Sequence, residues 1–218
     1  MKKERNSNKH GVTIGLLLSD LRVAHSIVSE ASRRGMEVLS VSSPAELPLT
    51  TKVIITSKKD APKLPTPALF VEDVPSCKTL IDRAYEMTFG KNCVKFVAVS
   101  IDPGEKRIGC AFFAEDMLLR TSTYSDEHAL LDDIDDFFNA HQGCKKYIII
   151  GEGPGNFSYT IKKNVYEKFL SAGQVEIMAI SENSSSQKNV FMLAHSPDEN
   201  AALMLFIKAR GRLMLSGK

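Results

Sequence analysis

Three acidic positions stand where apolar runs stop or a helix begins. They are Asp102 in "VSIDPGEKRIG", Glu152 in "YIIIGEGPGN", and Asp198 with Glu199 in "HSPDENAALMLF". Carboxylates of this kind suit hard divalent cations, which take oxygen ligands, and two such cations about 3.5–4 Å apart can activate a water and stabilise the leaving oxygen of a phosphodiester. Each acid also has a simpler reading. Asp102 before Pro-Gly can nucleate a turn. Ser196, Pro197 and Glu199 fit a capping box with proline in the first helical position, and acids favour a helix N-terminus. Glu152 has the weakest alternative. It lies between an isoleucine-rich strand and a Gly-Pro-Gly turn, where a desolvated carboxylate would have a raised pKa or need a partner, and a cation would supply one.

The elements that must position these acids follow from periodicity. In the second half, apolar runs at 96–101, 108–114 and 117–123 are separated only by turn-length gaps, as in an antiparallel meander. A helical stretch at 126–141, a strand "KYIIIG", a helix near 158–172, a strand "VEIMAI" and a final helix at 197–213 follow. This order describes a ribonuclease H-like mixed five-stranded sheet with helices. In that layout the first and fourth strands are neighbours, so Asp102 and Glu152 are expected to face each other, with Asp198 brought over the same edge by the last helix.

The first half has a different pattern. Short β-branched or aliphatic runs at 12–18, 37–41, 52–56 and 68–71 alternate with helical spacing at 20–34 and 76–88, which implies a small Rossmann-like α/β domain with a parallel sheet. Gly35 is placed to stop the first helix. The expected organisation is a basic tail at 1–10, an accessory α/β domain at 11–90 and the ribonuclease H-like domain at 95–218.

A formal net charge of +2 over 218 residues argues against a general polyanion-coating protein. Residues 93–218 hold 14 Lys and Arg against 16 Asp and Glu, so nucleic acid there needs metal ions to neutralise part of the site. No apolar run reaches the roughly 18 residues of a membrane span, and the start lacks a cleavage site for a signal peptide, so a cytoplasmic protein without membrane association is expected. The four cysteines are spread singly, with no zinc spacing.

"VSIDPGEKRIGCAFF" resembles the first motif of the YqgF-type nucleases and the related RuvC-type Holliday-junction resolvases, in which a strand ends in Asp, a small turn and Lys-Arg-Ile-Gly. "DENAALML" resembles the final motif of those families, and "SENSSSQKNVFML" is similar, less closely, to the YqgF segment before the last helix. The resemblance spans residues 95–212. It implies a metal-dependent endonuclease, with Mg2+ or Mn2+, acting on branched DNA or structured RNA. Asp102, Glu152 and Asp198 would be both catalytic residues and metal ligands. His195, Glu182 and Glu199 are further candidates for the catalytic site, and symmetric junction cleavage would require a homodimer. The "GEGPGN" segment is more resolvase-like than YqgF-like, and the resolvase loop rich in Gly and Lys is missing before the last helix.

Lys106 and Arg107, on the hairpin beside Asp102, are candidates for phosphate contact, as is Asn156 among its glycines. "DEHALLDDIDDFF" reads as a solvated helix face with Leu130, Leu131, Ile134, Phe137 and Phe138 turned inward. The alternative to a nuclease is a catalytically inactive nucleic-acid- or protein-binding scaffold of the same fold. In the first half, a receiver-type phosphoacceptor would require an acid after the third strand. Ser57 and two lysines stand there instead, so a recognition or dimerisation module is expected.

Overall fold

The computed structural model describes residues 13–61, 64, 67–104, 106–152, 156–170, 175–181 and 196–216. The chain divides into two compact units, Met1–Lys91 and Asn92–Lys218.

The first unit contains β1 (Ile14–Leu17), α1 (Leu21–Arg33), β2 (Val38–Ser40), β3 (Val53–Thr56), β4 (Ala68–Phe70) and α2 (Cys77–Thr88). Its four strands are parallel, in the order β2-β1-β3-β4. Asp20 caps α1 by accepting from the amides of Arg22 and Val23, and Gly35 leaves the helix at φ 70°, the left-handed conformation that glycine adopts without a Cβ penalty. Ile27 and Ala31 of α1 and Leu80, Ile81 and Ala84 of α2 bury one face of the sheet, formed by Ile14, Leu16, Val53 and Ile55. The Arg34 guanidinium ties the two helices together, bonding Asp82 at 2.5 Å and the Lys78 carbonyl at 2.9 Å. The connection from β2 to β3 has only a single 3-10 turn, Pro44–Glu46. Leu47 lies against Gly15, where a Cβ would come 2.6 Å from its Cδ2.

The second unit contains β5 (Phe96–Pro103), β6 (Ile108–Ala114), β7 (Met117–Tyr124), α3 (Glu127–Asn139), β8 (Lys145–Glu152), α4 (Asn156–Phe169), β9 (Val175–Ser181) and α5 (Pro197–Ser216). The sheet order is β7-β6-β5-β8-β9. The first three strands form the antiparallel meander, and β8 and β9 run parallel to β5. This is the ribonuclease H-like mixed sheet. Ala98, Ala111, Phe113, Tyr147 and Ile149 on one face pack against Ala202, Leu203, Leu205, Phe206 and Ala209 of α5, with the Phe113 and Phe206 rings stacked at 3.6 Å. Near the other face, Phe112 meets Phe137 of α3, and Phe138 of α3 meets Phe169 of α4. Among the described residues no helix is long and apolar enough to cross a membrane.

Helix α3 corrects one expectation. Leu130, Leu131, Ile134, Phe137 and Phe138 are buried as the spacing requires, but Asp133, read as part of a solvated face, is buried too. It receives two bonds from Arg120 of β7, at 2.9 and 3.0 Å, and another from the Tyr124 hydroxyl. Arg120 lies over the Phe112 ring at 3.5 Å. Burial pushes the Tyr124 hydroxyl well above the usual phenol range, so it stays a donor at every ordinary pH. An arginine in a strand centre and an acid in a helix charge run are each compatible with solvent. Only their pairing across the core makes both buried.

Removing one partner of this pair leaves the other charge buried and uncompensated. Asp133→Ala is expected to destabilise the protein by about 3–5 kcal/mol, whereas Arg120→Met combined with Asp133→Leu restores most of the loss. Urea unfolding of the three proteins gives the comparison.

Candidate functional site

Strand β5 ends at Asp102 and Pro103, and in the pairing with β6 Asp102 lies directly opposite Gly109. The first turn of α5 is seated on that glycine. A Cβ at Gly109 would lie 2.0 Å from the carbonyl oxygen of Asp198 and 3.0 Å from its Cβ. Residues directly opposed across an antiparallel pair have Cβ positions about 4.5–5.5 Å apart, so the Cβ atoms of Asp102 and Asp198 lie within about 8 Å of one another. Both residues are half-buried. By strand alternation Asp102 shares the sheet face of Ala98, against which α5 packs. Asp102 also shapes its turn, since its carbonyl accepts from the amide of Gly104 at 3.0 Å. The turn reading and the site reading therefore coexist at this residue.

The start of α5 is held by a network that the sequence signalled only in part. The Ser196 hydroxyl accepts from the amide of Glu199 at 3.2 Å, half of the expected capping box. The Glu199 carboxylate has another role. It accepts from the hydroxyls of Thr121 at 2.8 Å and Thr123 at 3.2 Å, both on β7. Thr123 pairs in register with Gly109 and Thr121 with Ala111, so both threonines lie on the face that α5 covers. Glu199, one of the further candidates for the catalytic site, is buried, and these bonds tie the start of the helix to β7. The hydroxyl spacing in "RTSTY", two residues apart and flanked by apolar strands, is the signal that could have indicated Thr121 and Thr123.

Glu152 requires the largest correction. Strands β5 and β8 are neighbours as expected, but Ile101 pairs with Ile150, so the residue level with Asp102 is Gly151. Side chains alternate along a strand, and a one-residue offset assigns Asp102 and Glu152 to opposite faces. Glu152 is neither desolvated nor lacking a partner. It is exposed, and Lys162 of α4 donates to it at 3.0 Å. Among the described residues no group of three or more His, Cys, Asp or Glu side chains is placed to hold a metal ion. The donors that fit a cation here are two oxygen-bearing side chains, Asp102 and Asp198.

Lys106 and Arg107 are exposed on the β5–β6 connection, one turn beyond Asp102. Glu182 and His195 lie outside the described residues, as does the side chain of Asn156, whose backbone begins α4.

The first unit has its own crevice of about 380 Å³ at the C-terminal ends of its parallel strands, lined by Ser19, Ser42, Ser43 and Asp60 among others. Ser57, the residue after β3, donates to Asp60 at 2.8 Å, and the amide and hydroxyl of Ser19 donate to the same oxygen at 2.9 and 3.0 Å. The Ser19 amide, followed by the two hydroxyls, holds the Asp60 carboxyl below the usual carboxylate range, so it is anionic at neutral pH.

Comparison with known proteins matches the two units differently. The response regulator receiver-like domain family matches residues 13–87, which lie within the first unit. No curated protein matches the chain. Among solved structures, Aquifex aeolicus Argonaute superposes with a TM-score of 0.27 at 10% identity, covering 78% of this chain and 35% of that one. The same Argonaute with externally bound siRNA gives a TM-score of 0.27 at 8% identity, covering 79% and 36%. The chain thus spans about a third of the length of the Argonaute chains it matches.

Proposed function

We propose that the second unit is a RuvC/YqgF-like nuclease unit that hydrolyses phosphodiesters of branched DNA or structured RNA, using Asp102 and Asp198 to hold magnesium or manganese. The observation that carries the reading is the seat of Asp198 on Gly109, directly across the strand pair from Asp102. Two acids far apart in sequence meet on one sheet face at the end of β5. That is where the motif resemblance assigns the first and last acids of the site.

The chain's own residues supply positioning. Gly109 lets the helix start approach the strand, and Glu199 locks that approach through Thr121 and Thr123. Lys106 and Arg107, exposed on the adjoining turn, would orient a phosphate. A bound cation would polarise the phosphoryl oxygen and lower the pKa of a coordinated water.

The Glu152–Lys162 ion pair favours a second reading, a scaffold of the same fold that binds nucleic acid without turning it over. Its signature is binding that persists in chelator with no cleavage in magnesium or manganese.

Cleavage of a labelled four-way junction, a duplex and a structured RNA in each metal separates these readings. Asp102→Asn and Asp198→Asn are each expected to lower the rate by at least about 100-fold, the upper range seen when even the outer support of a metal site is lost. Glu152→Gln is expected to leave the rate near the parent value, and an equal loss there would overturn the face assignment. No cleavage by the parent protein on any of the three substrates would overturn the nuclease reading.

Gly109→Ala tests the seat itself. Its methyl would enter the space of the Asp198 carbonyl. The expected result is a loss of about 1–3 kcal/mol in urea unfolding together with a loss of cleavage.

A further inference from the structure

Helix α4 carries an outward stripe that the carboxylate site does not use. Its inward face is made by Ile161, Val165 and Phe169, all buried. At 100° per residue, Tyr159, Lys163, Tyr166 and Leu170 fall together within about 60° on the outward side, with Lys162 at its border next to Phe169. Tyr159 is 70% exposed and Leu170 is 55% exposed. Elsewhere in this unit aromatic rings pack on one another, among them Phe96 with Tyr147, Phe112 with Phe137, Phe113 with Phe206 and Phe138 with Phe169. Among the described residues no aromatic ring packs on Tyr159. Lys162 fixes this stripe beside the end of β8 through its bond to Glu152.

We propose that this stripe is a stacking surface for single-stranded nucleic acid, with the Tyr159 ring beneath an unpaired base and Lys162 and Lys163 beside its phosphates. The proposal rests on the nuclease-unit reading for the identity of the ligand as a nucleic acid, and it adds that an unpaired segment is what the protein engages. An exposed tyrosine offers a flat π-face to any base at low entropic cost, and such stacking contributes about 1–3 kcal/mol per base. Tyr159 and Tyr166 are two helical turns apart, about 10 Å along the axis, with the two lysines between them. That alternation of rings and cations matches a strand whose bases and phosphates alternate.

The charges limit the electrostatic share. Lys162 is paired with Glu152 at 3.0 Å and Lys163 with Glu167 at 3.6 Å. Exposed pairs of this kind are weak and exchange readily for phosphate, but their acids leave the stripe without net positive charge. Stacking, not counterion release, is therefore the main source of affinity, and binding should depend only mildly on salt.

The chain contains no tryptophan, so Tyr159→Trp introduces a sole indole at the site. Titrating that variant with mixed-sequence single-stranded DNA and RNA is expected to quench its fluorescence saturably, and blunt duplex of the same sequence is not. By labelled-strand anisotropy, Tyr159→Ala should weaken single-strand binding about tenfold, while Tyr159→Phe retains it. The proposal is overturned by Tyr159→Ala binding as tightly as the parent, by an unquenched indole in a protein that binds the strand, by no binding of single strands at all, or by quenching that follows protein concentration alone, which would mark self-association. Quenching without any cleavage would remove the nuclease reading and leave this surface standing. Cleavage without quenching would do the reverse.

Discussion

The close approach of the last helix to the second strand of the mixed sheet is the constraint on which the second unit depends. A side chain at position 109 would occupy the space of the Asp198 carbonyl, so only glycine lets α5 begin where it does. From that seat the helix lays Ala202, Leu203, Leu205, Phe206 and Ala209 across the sheet and buries the apolar side chains of that face. Glu199 secures the same contact from the β7 side through two threonine hydroxyls. Packing and site are consequences of one contact: the turn that covers the core also carries Asp198 to the end of β5.

The two faces of this sheet are built differently. The α5 face is apolar except at its edge, where Thr121, Thr123, Glu199, Asp102 and Asp198 gather. The opposite face buries a full ion pair between Arg120 and Asp133 under aromatic rings. Glu152 belongs by register to that second face, and its lysine partner is on α4. The same edge of the sheet therefore presents two polar groupings, one on each face, where the motif reading expected a single convergence. In the first unit, a serine follows β3 of the parallel sheet, and its hydroxyl is bonded to Asp60.

Much of the fold was legible in the sequence. The three turn-separated apolar runs read at 96–101, 108–114 and 117–123 are the strands Phe96–Pro103, Ile108–Ala114 and Met117–Tyr124. The helix read at 126–141 is Glu127–Asn139, and the capping signal of Ser196 and Pro197 marks the true start of α5. Period and turn chemistry are local properties, so they survive without knowledge of partners. The candidate site was legible only in part. Asp102, Glu152 and Asp198 were read as one group from the motif resemblance and the expected strand adjacency, and the register brings only Asp102 and Asp198 onto one face. Asp133 was read as solvated because a charge run gives no sign of an arginine waiting across the core.

What the sequence by itself determined was the kind of each element, the strand neighbours and the acids at the edge, because hydrophobic periodicity and helix caps act over a few residues. What only the tertiary structure decided was which of those acids share a face. A shift of one residue between β5 and β8 reverses the side to which a carboxylate points while leaving the local pattern of each strand unchanged. Register is set by the fit of whole strands, which is not written in any single segment.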